Sequence, residues 1–157
     1  SYGDIPMNKD RERHFFEKQM EMAEEFDLPV IIHDREAHGD CFETVLKYPH
    51  VKGVFHSYSG SAEMAKELVR RGWYIGFTGV LTFKNAKKAL EVASQIPRDR
   101  LVLETDCPYM APEPFRGKRN HPGYLYRMAE RLAELGQITA EEAAASTLEN
   151  GKKLYRI

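Results

Sequence analysis

Leu28-Pro29-Val30-Ile31-Ile32-His33-Asp34-Arg35-Glu36 decides how the rest of the chain is read. Residues 28–32 form a short, unbroken apolar run, rich in β-branched side chains, directly after a helix stop. Such a run reads as a strand buried on both faces, the kind found in parallel sheets. It ends abruptly in an imidazole and a cluster of charges. In parallel α/β folds ligands bind beyond the carboxyl ends of the strands, so His33 stands where a site is expected.

The same pattern repeats outward from this run. Upstream, Asn8–Phe26 reads as a helix with Asn8 able to cap it, Phe15, Met22 and Phe26 on one stripe, and Phe16, Met20 and Ala23 on the next. Downstream come a helix over Asp40–Tyr48, a strand over Val51–Phe55, and a helix over Ser61–Arg71 that stops at Gly72. A strand over Trp73–Phe77, a helix over Asn85–Ile96 closed by Pro97, and a strand over Leu101–Leu103 follow. After a proline-rich loop over Cys107–Pro122, helices over Gly123–Leu135 and Thr139–Leu154 end the chain, the last with Thr139 and Glu142 at capping-box spacing. Strands alternating with helices at this spacing mean βαβ units and a parallel sheet. Four such strands make either a small open sheet or half of a barrel.

Size and composition set bounds. The chain has 157 residues, 42% of them hydrophobic, with 23 Lys+Arg against 24 Asp+Glu. One domain spanning 1–157 is expected, without linker or low-complexity tract. A complete (β/α)8 barrel takes about 250 residues, more than this chain supplies. A net charge of −1 excludes nucleic-acid binding by bulk field alone. No apolar run approaches the roughly 20 residues that span a bilayer, so no membrane partner is expected. Cys41 and Cys107 form no CxxC pair, which argues against a disulfide scaffold and for the reducing cytoplasm. The chain starts at Ser1 with no apolar leader, and is expected to begin after processing or inside a longer gene product.

Each strand end carries chemistry. The second apolar run finishes in His56 followed by Ser57-Tyr58-Ser59-Gly60, the third around Gly76-Phe77-Thr78-Gly79, and the fourth in Glu104-Thr105-Asp106. Imidazole and carboxylate at one mouth suit a divalent cation: zinc, manganese or nickel, with magnesium favoured if oxygen ligands dominate. A cation there lowers the pKa of bound water and polarises a phosphoryl or carbonyl oxygen. A single strand-end histidine is as readily a hydrogen-bonded structural residue. The repetition at His56 and Asp106 favours a metal or acid–base site.

These segments, LPVIIHDREAH, VFHSYSG, YIGFTGVLTF, LVLETDCPYMAP, RGKRNHPGY and TLENGKKLY, resemble in order and spacing the TatD family of metal-dependent deoxyribonucleases. The resemblance covers nearly the whole chain. It implies the C-terminal portion, about the last four βα units, of an amidohydrolase-like TIM barrel that holds two divalent cations and hydrolyses phosphodiester bonds of DNA. It also implies metal ligands from an HxH pair on the first barrel strand, a Glu after the fourth, a His after the fifth and sixth, and an Asp after the eighth. By motif, the fifth-strand ligand is His33, the sixth-strand ligand His56, and the Asp is Asp106. Glu104 alternates to the same side as Asp106 and is expected to act as a supporting carboxylate. The chain departs from the family in lacking the HxH pair and the Glu of a GEIGLDY-like segment, and in placing His121 where Glu is usual.

In a complete site the resemblance implies that His33 and His56 hold one cation, while Asp106 holds the other and accepts a proton from the attacking water. Arg116, Lys118 and Arg119 either meet backbone phosphates or form a solvated loop. Tyr58, Phe83 and Tyr109 either stack on an unpaired base or pack, and Trp73 is expected in the core. His121 is either a phosphate or metal contact or a polar loop residue. Asp34, Arg35 and Glu36 either orient His33 or face solvent. Two other readings stand beside the nuclease. The chain is a catalytically incomplete fragment that associates with the missing N-terminal half or with a second copy, or it is an ester or amide hydrolase of the amidohydrolase type.

Overall fold

Where the chain alternates between apolar runs and amphipathic stretches, it folds as strands and helices in turn. The computed structural model describes residues 9–33, 38–104, 113–115, 117–119, 124–136 and 138–157. Helices α1 (Lys9–Phe26), α2 (His38–Lys47), α3 (Ala62–Arg70) and α4 (Lys87–Gln95) alternate with strands β1 (Val30–His33), β2 (Gly53–His56), β3 (Tyr74–Phe77) and β4 (Leu101–Leu103). Helices α5 (Leu125–Gly136) and α6 (Ala140–Tyr155) end the chain. The strands form one parallel sheet in the order β1-β2-β3-β4. This is the βαβ arrangement expected from the sequence, with neighbouring strands consecutive in the chain.

Strands β1 and β2 sit a residue or two later than the apolar runs alone suggest, and both end on histidine. Pro29 has no N–H to give to a ladder; hydrogen bonding to β2 begins with the Val30 amide, which reaches the Lys52 carbonyl. Helix α3 is capped by Ser61, whose hydroxyl accepts from the Met64 amide, and it stops at Gly72, whose φ of +90° suits glycine. Helix α6 carries the full capping box, with Thr139 and Glu142 each accepting the other's amide hydrogen.

The register assigns the two faces of the sheet. Ile31 and His33 pair with Val54 and His56; Val54 pairs with Tyr74, and Gly76 with Val102. Alternation then puts Phe55, Ile75, Phe77 and Leu101 on the other face, where they are buried with Leu68, Trp73 and Val92. Trp73 meets Phe55 edge to face at 5.2 Å, as its expected core role requires. Asn150 of α6 is buried and donates to the carbonyls of Arg98 and Leu101 at 2.8 and 2.7 Å. It thereby pins the last helix to the start of β4.

Of the two apolar stripes of α1, one faces the core. In α1 the buried residues are Met20 and Ala23, with Phe16 packed against the core, whereas Phe15, Met22 and Phe26 are exposed. Phe16, Met20 and Ala23 recur at i, i+4 and i+7, so one narrow stripe faces inward. The adjacent stripe turns away from the core.

Candidate functional site

Strand ends bring the first pair of side chains together. In-register pairing sets His33 beside His56, with ring centroids 5.4 Å apart and planes tilted by 34°. His33 is exposed, while the side chains of His56 and Glu104 retain only 18% and 11% of their exposure. Glu104 extends β4 by one residue, its amide donating to the Phe77 carbonyl at 2.8 Å. That places its side chain on the face that carries both histidines.

The contact between them is short. His56 Nδ1 lies 2.5 Å from Glu104 Oε2, within hydrogen-bond distance. The Ser57 amide also points at Oε2, at 3.4 Å. Ser57 adopts φ +52°, a left-handed turn directly after β2, a conformation that costs a non-glycine residue on the order of 1 kcal/mol. Strand β3 lies between β2 and β4, so the contact must cross it. It crosses at Gly76, where a Cβ would fall inside the Glu104 carboxylate. Tyr155 of α6 also lies within reach of the Glu104 charge. Burial pushes its phenol pKa up and that charge adds to the effect.

These donors suit a borderline divalent cation: two imidazoles, one of them oriented by a carboxylate in the way that metal-binding histidines usually are. With Nδ1 turned to Glu104, His56 would meet a cation through Nε2. Among the described residues no group of three His, Cys, Asp or Glu side chains gathers closely enough to hold a metal. Asp106, the third expected ligand, lies outside the described residues, as do Asp34, Arg35, Glu36, Cys107, Tyr109, Arg116 and His121.

Among the expected substrate contacts, Lys118 and Arg119 are exposed, with the Lys118 amide closing a turn onto the Phe115 carbonyl. Tyr58 is a correction. It is only 5% exposed, sits edge-on to Phe55, and donates its hydroxyl to the Ser61 carbonyl at 2.7 Å. An aromatic held this way has no face to offer a base, so Tyr58 builds the turn after β2 instead.

Two features escaped the reading of the sequence. Gly76 is one, and a glycine in the middle of an apolar strand is a recognisable sign of close approach. The other is an aromatic–cationic cluster beside Lys118. Phe115 and Tyr124 stack with centroids 4.1 Å apart, and the Arg127 guanidinium lies over Phe115 and Tyr126. Its members are scattered along the chain, and spacing gave no signal for it.

Comparison with known proteins agrees with this picture. The sequence profile of the family described as TatD related DNase matches residues 3–156. The chain is 49% identical over 152 residues to the uncharacterized metal-dependent hydrolase YabD of Bacillus subtilis, a match covering 95% of this chain and 59% of that protein. It is 37% identical over 154 residues to the uncharacterized metal-dependent hydrolase YcfH of Escherichia coli, covering 97% of this chain and 58% of the relative. Among solved structures, the TatD homologue YjjV of Escherichia coli superposes with a TM-score of 0.84 at 31% identity, over 100% of this chain and 64% of that one. The chain thus spans somewhat under two thirds of the length of these relatives. It belongs to the TatD-related DNase family.

Proposed function

We propose that this chain supplies the last four βα units of a TIM barrel, and with them one part of a two-cation site that hydrolyses phosphodiester bonds of DNA. The observation that carries the reading is the in-register pair His33 and His56 at the carboxyl ends of adjacent parallel strands, with Glu104 on His56. The barrel reading draws further support from the sheet. Among the described residues neither outer strand has a partner on its outer edge, and apolar side chains are exposed near each. Ile31 is 55% exposed on β1, and a groove of about 490 Å³ beside β4 is lined by Val102, Leu103, Tyr126, Leu148 and Tyr155. Edges of this kind invite pairing. The proposed occupant is the N-terminal half of the barrel, with a second copy of this chain as the alternative.

His33 and His56 would hold one cation, and Asp106 the other. When bound, the cations supply Lewis acidity to the phosphoryl group and a more acidic water. Asp106 accepts the proton of the attacking water. Lys118 and Arg119, which are exposed, would together with Arg116 meet backbone phosphates of the substrate. Glu104 fixes the His56 ring. The reducing cytoplasm is the proposed compartment, on the cysteine spacing; among the described residues no helix is long and apolar enough to cross a membrane.

The test is hydrolysis of single-stranded DNA, a phosphotriester and an aminoacyl ester by the gene product that carries this sequence, with and without Mn²⁺. Metal-dependent cleavage of DNA that is lost in His56→Ala is the expected result. Full DNA cleavage in that variant overturns the role of His56, and preference for the ester overturns the substrate. The 157-residue chain alone is expected to retain less than one cation per molecule by mass spectrometry, because His33, His56 and Asp106 leave either shell incomplete.

A further inference from the structure

The contact between Glu104 and His56 has to pass over β3, and three independent features converge on making it. Position 76 carries no side chain, and any Cβ there would occupy the space that the Glu104 carboxylate fills. Glu104 stays in the β4 ladder through its own amide, so its Cα is fixed relative to β3. The left-handed turn at Ser57 aims a second donor, the Ser57 amide, at the same oxygen, Oε2, that faces His56 Nδ1. Few positions in a four-residue strand tolerate glycine without loss, because it neither packs nor restrains the unfolded chain. A glycine here is explained by what lies above it.

We infer that Gly76 and Glu104 form one positioning device: Gly76 opens a notch in β3 through which Glu104 reaches His56 and holds its ring as the Nδ1–H tautomer, leaving Nε2 as the metal-facing nitrogen. This deepens the reading of His56 as a ligand and rests on it. An imidazole in water favours neither orientation strongly and rotates about its side-chain bonds. A ligand histidine must present a bare nitrogen in one direction, and a carboxylate on the opposite nitrogen achieves both requirements. The Ser57 amide keeps the carboxylate aimed, so that Oε2 does not swing toward solvent. Gly76 and Glu104 touch no substrate in this scheme, and both act through His56.

The experiment is nitrogen-15 NMR of the His56 ring in the metal-free chain, at a pH above the ordinary imidazole range. The expected spectrum shows a proton on Nδ1 and none on Nε2. Glu104→Ala and Gly76→Ala are each expected to shift the ring toward the Nε2–H form, and Glu104→Gln, whose amide oxygen can still accept from Nδ1–H, to retain the wild-type tautomer. A wild-type ring with a proton on Nε2, alone or together with Nδ1, overturns the inference. So does a tautomer that is unchanged in Glu104→Ala.

Because Gly76→Ala is liable to unfold the chain, the double variant supplies the second measurement. If the notch exists for the carboxylate, Gly76→Ala destabilises the wild type in denaturant but has no further effect in the Glu104→Ala background. Equal destabilisation in both backgrounds overturns the coupling. The outcomes are separable from those of the proposed function. A full-length gene product that shows this tautomer but takes up no Mn²⁺ or Zn²⁺ overturns the metal reading and supports the positioning device. A chain that takes up cation with His56 in the opposite tautomer overturns the device alone. Where cation is bound, Glu104→Ala is expected to weaken it by about 10- to 100-fold.

Discussion

The middle of the sheet and its two flanks are built from similar residues and end in different states. In β2 and β3, Val54, Phe55, Ile75 and Phe77 are all almost wholly buried, on both faces. On the β1 flank, Leu28 and Ile31 are exposed together with Phe15, Met22 and Phe26 of α1. On the β4 flank, Tyr126, Leu148, Tyr155 and Ile157 are exposed. Single exposed apolar residues are ordinary, but two such sets are where the proposed pairing with the rest of the barrel would form. The centre encodes a finished fold. The flanks leave apolar side chains exposed.

The widest test of this contrast is truncation in the centre. Trp73→Ala or Phe55→Ala removes one partner of an edge-to-face pair from a fully buried position. Each is expected to cost about 3–5 kcal/mol, read as a lower midpoint in urea. A cost below 1 kcal/mol would mean that the centre is as loosely packed as the flanks.

Asn150→Ala comes next. It removes the amide that satisfies the Arg98 and Leu101 carbonyls and ties α6 to β4. Leaving buried carbonyls unpaired costs about 1–3 kcal/mol. The loss is expected to appear first as faster amide exchange in α6 and β4, with β2 and β3 protected for longer. Uniform loosening of the whole sheet would show that the β4 flank and the centre unfold as one unit.

How much of this was legible in the sequence follows the same division. Strands over 28–32, 51–55, 73–77 and 101–103 could be expected, each within about two residues of its observed bounds, because unbroken apolar runs have few structural solutions, and the histidines and acids beyond them stood out as costly choices for stability. The inward stripe of α1 was not legible. Phe15, Met22 and Phe26 are as apolar as Phe16, Met20 and Ala23, and periodicity finds two candidate stripes without saying which one meets the sheet. Tyr58 could be read as a base-stacking or a packing residue, because its burial depends on the turn at Ser57, which no composition rule reveals. The pairing of Glu104 with His56 joins residues 48 apart in the chain and across an intervening strand. Only the glycine at 76 hinted that something passes over β3.

The flanks themselves can be tested with charge. Ile31→Lys and Leu148→Lys place a cation on exposed apolar positions beside β1 and near β4. Neither disturbs the core, so stability is expected to change by no more than about 0.5 kcal/mol. Association should change much more. At micromolar concentration the 157-residue chain is expected to sediment as more than a monomer and each variant closer to one. A well-folded wild-type chain that is strictly monomeric would show that neither edge pairs with a second copy.

The smallest effect lies on the solvated outside of the β1 flank, where α1 and α2 are joined by polar contacts. Lys47 Nζ donates to Glu17 Oε1 at 2.9 Å, and this hydrogen bond is the main reason that the Glu17 carboxyl sits below its ordinary pKa, with the Lys47 charge adding to it. A carboxyl whose pKa is lower in the folded chain than in the unfolded one favours folding at any pH above the unfolded value. That contribution fades as pH falls below the unfolded value and is gone once pH has passed below the folded one. Glu17→Gln should therefore flatten the acid limb of a stability–pH curve slightly and leave the neutral region almost unmoved, since exposed ion pairs contribute little and salt screens them. Added salt should shrink the difference between wild type and variant further. A variant whose acid limb matches the wild type at low salt would show that α1 is held to α2 by its inward stripe alone, and that the polar rim of this flank adds nothing to it.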